Sequence, residues 1–342
     1  MNISPRATFQ APLVLVHLGG KVPLYLRANL RYLKKLKFPL VLITDTRKIE
    51  RKYKSHRLDT FLYEESDAAF RKLSELLDHN EKFREGFWLK AIIRFMALQK
   101  YMQETGVQRL IHLESDVWIS PNFPIGALSK AQSISFPLCN EHLGIPSVFI
   151  VPSLDMLNEF NLFCINQMQS DSQATDMKLL AEFAKKFPKK VSLLPTFSGT
   201  LLRQEFLESV PKSKDYLQVE TGKIFDANSL GQYFFGWDPR NEKGYRKLFQ
   251  NYREHFVDPR HSRLKFDGSK LFICKEGFET EVFNLHVHSK DIRVFFKPAL
   301  KYLVALRNLQ ERRGLRTQPT FQIINRNLTS LKGSIKRNLH LS

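Results

Sequence analysis

Residues 109–122 read RLIHLESDVWISPN. The apolar run at 110–113 is short and lacks a helical period, so it predicts a buried strand. Two acids follow at once, Glu114 and Asp116, in a chain whose formal net charge is +19. In an extended segment, residues two apart face the same side, so both carboxylates are expected to reach one cation. Ligands of α/β sheets bind in the crevice beyond the carboxyl ends of the strands, and this pair falls at such an end. Hard oxygen donors suit Mg²⁺ or Mn²⁺, which take one or two carboxylates together with substrate phosphates. An N-cap or a strand-end salt bridge accounts for two acids as simply, so their surroundings decide.

Working outward, the flanks alternate strand and helix. LVLVHLGG (13–20) reads as a buried strand ending in a turn, PLYLRANLRYLKKLK (23–37) as an amphipathic helix, and FPLVLITD (38–45) as a second apolar strand closed by Asp45. Residues 46–84 are charged and predict a short helix and loops. In the segment 87–102, Phe87, Ala91, Phe95, Leu98 and Met102 share one helical face. Gly106 is placed to end that helix. Downstream, 133–138, 146–152 and 190–196 read as strands. Residues 175–187 read as a helix with Thr175 as N-cap. The segment GKIFDANSLGQYFFGWDPRN (222–241) has the composition of a shaped loop. VFNLHVHSKDIRVFF (282–296) reads as a strand running into a polar turn. Apolar strands separated by helices predict an α/β fold, a mixed but mainly parallel Rossmann-type sheet flanked by helices.

At 342 residues the chain can bury a large core. Its positive charge favours anionic partners such as nucleotides, phosphorylated substrates or acidic membrane. Cys139, Cys164 and Cys274 are far apart and odd in number, which fits a reducing compartment. No apolar run is long enough for a membrane span, so the expectation is a soluble, cytoplasmic protein. From Lys297 the character changes: ten cations face one acid, Glu311, while Ile324, Leu328, Leu331, Ile335 and Leu339 keep helical spacing. We therefore divide the chain into a main domain, 1–296, and a basic amphipathic helical tail, 297–342. Residues 298–342 are placed to make peripheral contact with anionic membrane at its inner face.

HLESDVW, preceded by a helix carrying Arg94, resembles the metal-binding DxD segment of bacterial nucleotide-sugar glycosyltransferases of the GT-A fold. The resemblance extends in order over residues 12–296: the first strand with its glycines, the strand closed by Asp45, the acids, then a His-containing strand with a lysine beyond it. It implies a GT-A-like fold and transfer of a sugar from a nucleotide-sugar donor, UDP-sugar favoured, to a glycan or lipid-linked acceptor with Mn²⁺ or Mg²⁺. Asp116 matches the principal metal ligand. Glu114 stands where an Asp is usual, as a ligand to the metal or the nucleotide. LHVHSK (285–290) resembles the family's C-terminal His segment, with His288 favoured over His286 as ligand and Lys290 on the diphosphate. His17, Gly19, Asp45 and Arg94 are expected on the donor side. Asp176, Asp226 and Asp238 are the acids expected to touch sugar or acceptor or to act as base, with Tyr233 and Trp237 available to stack on a sugar ring.

Rival readings share some of these features. A metal-dependent nucleotidyltransferase or phosphohydrolase would also pair acids with a divalent ion, but HLGGKVP (17–23) is a poor phosphate-cradling loop. A non-catalytic binding module on the same fold is compatible with Glu114 replacing Asp. Nucleic acid is the least expected partner, since no recognition module is visible and the tail holds nearly half of the excess charge.

Overall fold

A computed structural model describes residues 11–64, 87–212, 215–217, 219, 222–235, 254–267, 270–288, 290, 292 and 295. The basic tail and Asp238 and Trp237 lie outside the described residues. The central sheet has eight strands: β1 (Leu13–His17), β2 (Leu40–Thr44), β3 (Asp59–Leu62), β4 (Leu110–Leu113), β6 (Ile134–Asn140), β7 (Leu143–Gly144), β8 (Val148–Val151) and β9 (Val191–Leu194). Strand β5 (Val117–Ile119) stands apart from them. The order is β3-β2-β1-β4-β8-β6-β7, with β9 beside β6. Strands β1, β2, β3 and β4 pair in parallel and β9 is parallel to β6, whereas β8 runs against both β4 and β6. The sheet is therefore mixed and mainly parallel, as the alternating pattern predicts.

Alternation along the strands assigns the two faces. Leu13, Leu15, Leu40 and Leu42 meet Leu26, Leu30 and Leu33 of α1 (Leu24–Lys35) and Ile49 of α2 (Arg47–Ser55). Val14, Val41 and Ile43 face the opposite way, against α3 (Phe87–Thr105), α5 (Leu154–Ser170) and α6 (Asp176–Lys186). The short α4 (Ile125–Leu128) closes the first of these cores. Phe95, Phe149, Phe160 and Phe183 pack edge to face or tilted in the second. Ser153 caps α5 and Thr175 caps α6 through their hydroxyls. Helix α5 and strand β3 fall in stretches that periodicity does not single out.

A second, four-stranded sheet follows, in the order β10 (Lys223–Ile224), β13 (Phe278–Val282), β12 (Lys270–Lys275), β11 (Arg263–Asp267). The β12–β13 hairpin turns on Glu276 and Gly277, both with positive φ, a two-residue geometry that matches strand twist. Residues 222–241 do not form an open loop where they are described. They contribute β10 and α7 (Ser229–Phe235), whose seven residues are all buried. The aromatics Tyr233, Phe234 and Phe235 thus serve a third core with Leu264, Leu271, Ile273 and Leu285.

All three cysteines are buried and unpaired. No described helix is long and apolar enough to cross a membrane. Among the buried groups that make stability pH-dependent is His255. It lies 3.0 Å from the Ser229 hydroxyl, and burial, with Arg203 nearby, pushes its imidazole down to about 4. The unfolded chain, near the ordinary value of 6.5, then binds the extra proton. The contribution of His255 to stability is expected to fall as pH drops from about 6.5 to 4, by about 3 kcal/mol in full. Denaturant unfolding across that range checks this: His255→Gln should flatten the acid slope, and an unchanged slope would place its origin elsewhere.

Candidate functional site

The acids at the end of β4 are brought together by a turn, not by continued extension. Val117 N–H donates to the Glu114 carbonyl at 3.1 Å, closing a tight turn over Glu114, Ser115 and Asp116 before β5 begins. The strand alternation expected to align the carboxylates therefore stops one residue too early, and the turn does the aligning instead. Asn29 of α1, fully buried, fixes this turn by donating to the carbonyls of Ser115 (3.2 Å) and Val117 (2.9 Å). Nothing in the sequence marks Asn29 for this task, since it occupies an ordinary position on an amphipathic helix.

Opposite the turn, β14 (Asn284–His286) pairs antiparallel with β5, setting His286 against Val117. His286 Nε2 lies 3.3 Å from Glu114 Oε2 and 3.3 Å from Asp116 Oδ2. One donor atom from each of Glu114, Asp116 and His286 falls within 4.8 Å of the others. His288, favoured from sequence, is not in this group. The strand ends at His286 and the chain folds back, with His288 N–H donating to the His286 carbonyl at 3.0 Å. The period of two no longer relates the two rings, which instead lie tilted against each other with their centroids 4.3 Å apart.

Cations frame the acids. Lys290, at φ 62°, contacts Asp116 through Nζ and lies 5.7 Å above the Tyr25 ring. Arg94 of α3 pairs with Glu114 through one terminal nitrogen and with Asp176 through the other, while its Nε donates to the Ala91 carbonyl at 2.7 Å. Burial opposes ionisation of Asp116, but Lys290 and His286 hold its carboxyl well below the usual range. Burial likewise works against Glu114, and Arg94 and His286 overcome it. For His286 burial disfavours the charged ring, and the two carboxylates outweigh it and raise its pKa. Asp176 goes the other way: burial raises its pKa in spite of Arg94.

The remaining expected residues divide between this edge and the scaffold. Strands β1, β2 and β4 run parallel, so His17, which ends β1, and Asp45, which follows β2, lie at the same carboxyl edge of the sheet as Glu114. Asp45 Oδ1 accepts from Gly19 N–H at 3.0 Å, and Gly19 at φ 135° adopts a backbone conformation that side chains rarely tolerate. His17 is mostly buried, and burial lowers its pKa. Asp226 has a different task from the one expected. Its carboxylate accepts from three backbone amides, Leu230 at 2.9 Å, Gly231 at 2.8 Å and His286 at 3.0 Å, and so joins the start of α7 to β14. A carboxylate so occupied positions His286 and has little left for a sugar or an acceptor proton. Gly231 completes the joint, since a Cβ there would sit 2.0 Å from the His286 carbonyl oxygen. A glycine inside an aromatic helix was the one sequence signal of that close approach.

The donor set fits a hard divalent cation. Two carboxylates and an imidazole are ligands that Mn²⁺ accepts. Glu114 Oε2 is buried and accepts no hydrogen bond among the described residues, leaving its lone pairs for an ion.

No family model matches the chain, and no curated protein matches its sequence. Among solved structures, it is similar to a glycosyltransferase involved in glycosylation of the major capsid of PBCV-1 (14% identity, TM-score 0.32, covering 53% of this chain and 82% of that one). It is also similar to a cytidylyltransferase from Leptospira borgpetersenii serovar Hardjo-bovis (12% identity, TM-score 0.33, covering 71% and 94%). A third is a CMP:2-keto-3-deoxy-manno-octonic acid synthetase complexed with CTP (10% identity, TM-score 0.31, covering 54% and 88%). At these scores the likenesses carry no weight for what this chain does.

Proposed function

We propose that the chain is a metal-dependent glycosyltransferase that uses a nucleotide-sugar donor, a UDP-sugar by preference, and a glycan or lipid-linked acceptor. The observation that carries the reading is the convergence of Glu114, Asp116 and His286 at the carboxyl edge of the sheet, with Lys290 beside them. Glu114, Asp116 and His286 would hold Mn²⁺ or Mg²⁺, which supplies positive charge for the diphosphate of the donor. Lys290, now on Asp116, is a mobile-stemmed cation within reach of the same phosphates. Arg94 keeps Glu114 ionised and pointed at the site, and Asn29 and Asp226 fix the two backbone segments that present the ligands. In the transfer, the acceptor hydroxyl oxygen bonds to the anomeric carbon, the bond from that carbon to the diphosphate breaks, and the hydroxyl proton passes to a base. His17, Gly19 and Asp45 line the same edge and are proposed on the donor side, and Asp176 is proposed to face the sugar or the acceptor.

Thermal unfolding of wild type and Asp116→Ala with UDP, GDP, CDP or ADP, with and without Mn²⁺, tests this. A ligand at 100 times its dissociation constant adds about 2.7 kcal/mol. One nucleoside diphosphate should stabilise the wild type only with metal, and Asp116→Ala should abolish the effect. Product analysis then separates the classes: a glycosyltransferase releases nucleoside diphosphate from a nucleotide sugar, whereas a nucleotidyltransferase releases pyrophosphate from a nucleoside triphosphate. Pyrophosphate release, or no nucleotide response at all, would sink the proposal.

A further inference from the structure

The charge of the described domain is segregated across the central sheet. Helices α1 and α2, which cover one face, hold nine Lys or Arg and a single acid, Glu50. All of these cations except Arg27 are exposed, and the turn residues Lys37 and Arg57 add two more exposed cations. The helices on the other face, α3, α5 and α6, hold six cations and five acids. The basic layer is continuous, because α1 and α2 rest on the same leucine core and Lys34 donates to the carbonyl of His56 at the end of α2. Among the described residues, its exposed cations form one ion pair, Arg47 with Glu64. Folding therefore concentrates like charge on one side without neutralising it, at a cost in self-repulsion.

We propose that the outer surface of α1 and α2 docks the protein on an anionic lipid bilayer. Two helices side by side present their cations over a broad face, as a planar array of lipid phosphates requires, and each Lys or Arg near such a surface adds to binding. Leu24, 62% exposed at the start of α1, offers an apolar contact at the edge of the same face. The three tyrosines of the two helices, Tyr25, Tyr32 and Tyr53, are half-buried. The face thus lacks the exposed stacking platform of single-stranded nucleic acid sites and the aromatic anchors of a protein hot spot. This surface is distinct from the basic tail and from the acidic pair, and its docking does not depend on the glycosyltransferase reading.

Co-sedimentation of the full chain with vesicles of phosphatidylcholine alone, or with one-third phosphatidylglycerol, at low and high salt, tests the proposal. Wild type should bind the anionic vesicles at low salt only. The variant Arg51→Glu/Lys52→Glu/Lys54→Glu, all exposed positions on α2, should lose at least about tenfold in affinity. The opposite-face variant Lys178→Glu/Lys185→Glu/Lys186→Glu, matched in charge, should lose less than about twofold, and Asp116→Ala should bind as wild type. Unfolding temperatures establish that the variants are folded. Equal losses in the two triple variants would mean attraction by net charge alone, and wild-type binding by the α2 variant would put any membrane contact elsewhere, in the tail for example. Either result overturns the proposal, as does tighter binding of a DNA duplex that displaces the vesicles.

Discussion

Replacing Arg94 with Met should destabilise the protein by about 3–5 kcal/mol, the usual cost of removing one partner from a buried ionic group. Met keeps most of the aliphatic bulk, so the loss is chiefly electrostatic. Arg94 is the shared counter-ion of Glu114 and Asp176, and without it two buried carboxylates face each other. Burial already raises the Asp176 pKa, and in the variant this residue should take up a proton. A carboxyl whose folded pKa is raised favours folding at low pH and loses that contribution as pH rises through the folded value. The deficit relative to wild type should thus shrink on acidification. Adding Asp176→Asn should recover part of the loss at neutral pH, since it removes one of the stranded charges. Chemical denaturation of the four proteins of this cycle, at mildly acidic and neutral pH, measures both effects. A neutral Arg94→Met would show that the triad is not coupled, and Arg94 would no longer explain the ionisation of Glu114.

The second large effect is expected at Gly231, through backbone alone. An alanine Cβ would stand 2.0 Å from the His286 carbonyl oxygen and 2.7 Å from its carbon, so α7 and β14 must part. Both elements are buried, and the displacement should cost about 3 kcal/mol or more, at the upper end of overpacking effects. The movement also pulls at the Asp226 carboxylate, which holds Gly231 and His286 together. Gly231→Ala should therefore weaken Mn²⁺ binding, read by calorimetry, as well as lower the unfolding temperature. Gly126 in α4 is the control, because a Cβ there meets nothing within 4 Å. Gly126→Ala should leave both measurements near wild type. If Gly231→Ala lowers stability but leaves Mn²⁺ affinity intact, His286 is not held in register by this joint.

How much of this could be read from the chain alone follows from the range of the forces involved. The alternating apolar strands 13–17, 40–44 and 110–113 and the helix at 87–105 are local patterns, and they determined the α/β class and placed Glu114 and Asp116 at a strand end. Thr175 announced the start of α6 in the same way, because a cap is a contact between residues three apart. The aromatic run at 229–235 misleads on the same local logic, since glycine and polar residues around it resemble a loop, while long-range burial makes it a helix. What the tertiary structure alone decided are contacts between residues far apart in sequence. Asp226 was given to the His286 amide sixty residues on, Arg94 to Asp176 as well as Glu114, and the histidine beside the acids became His286 because β14 stops there against β5. Periodicity fixes which side of a strand a residue faces only while the strand lasts. Where it ends, a turn or a pairing partner sets the direction, and that partner lies more than a hundred residues away.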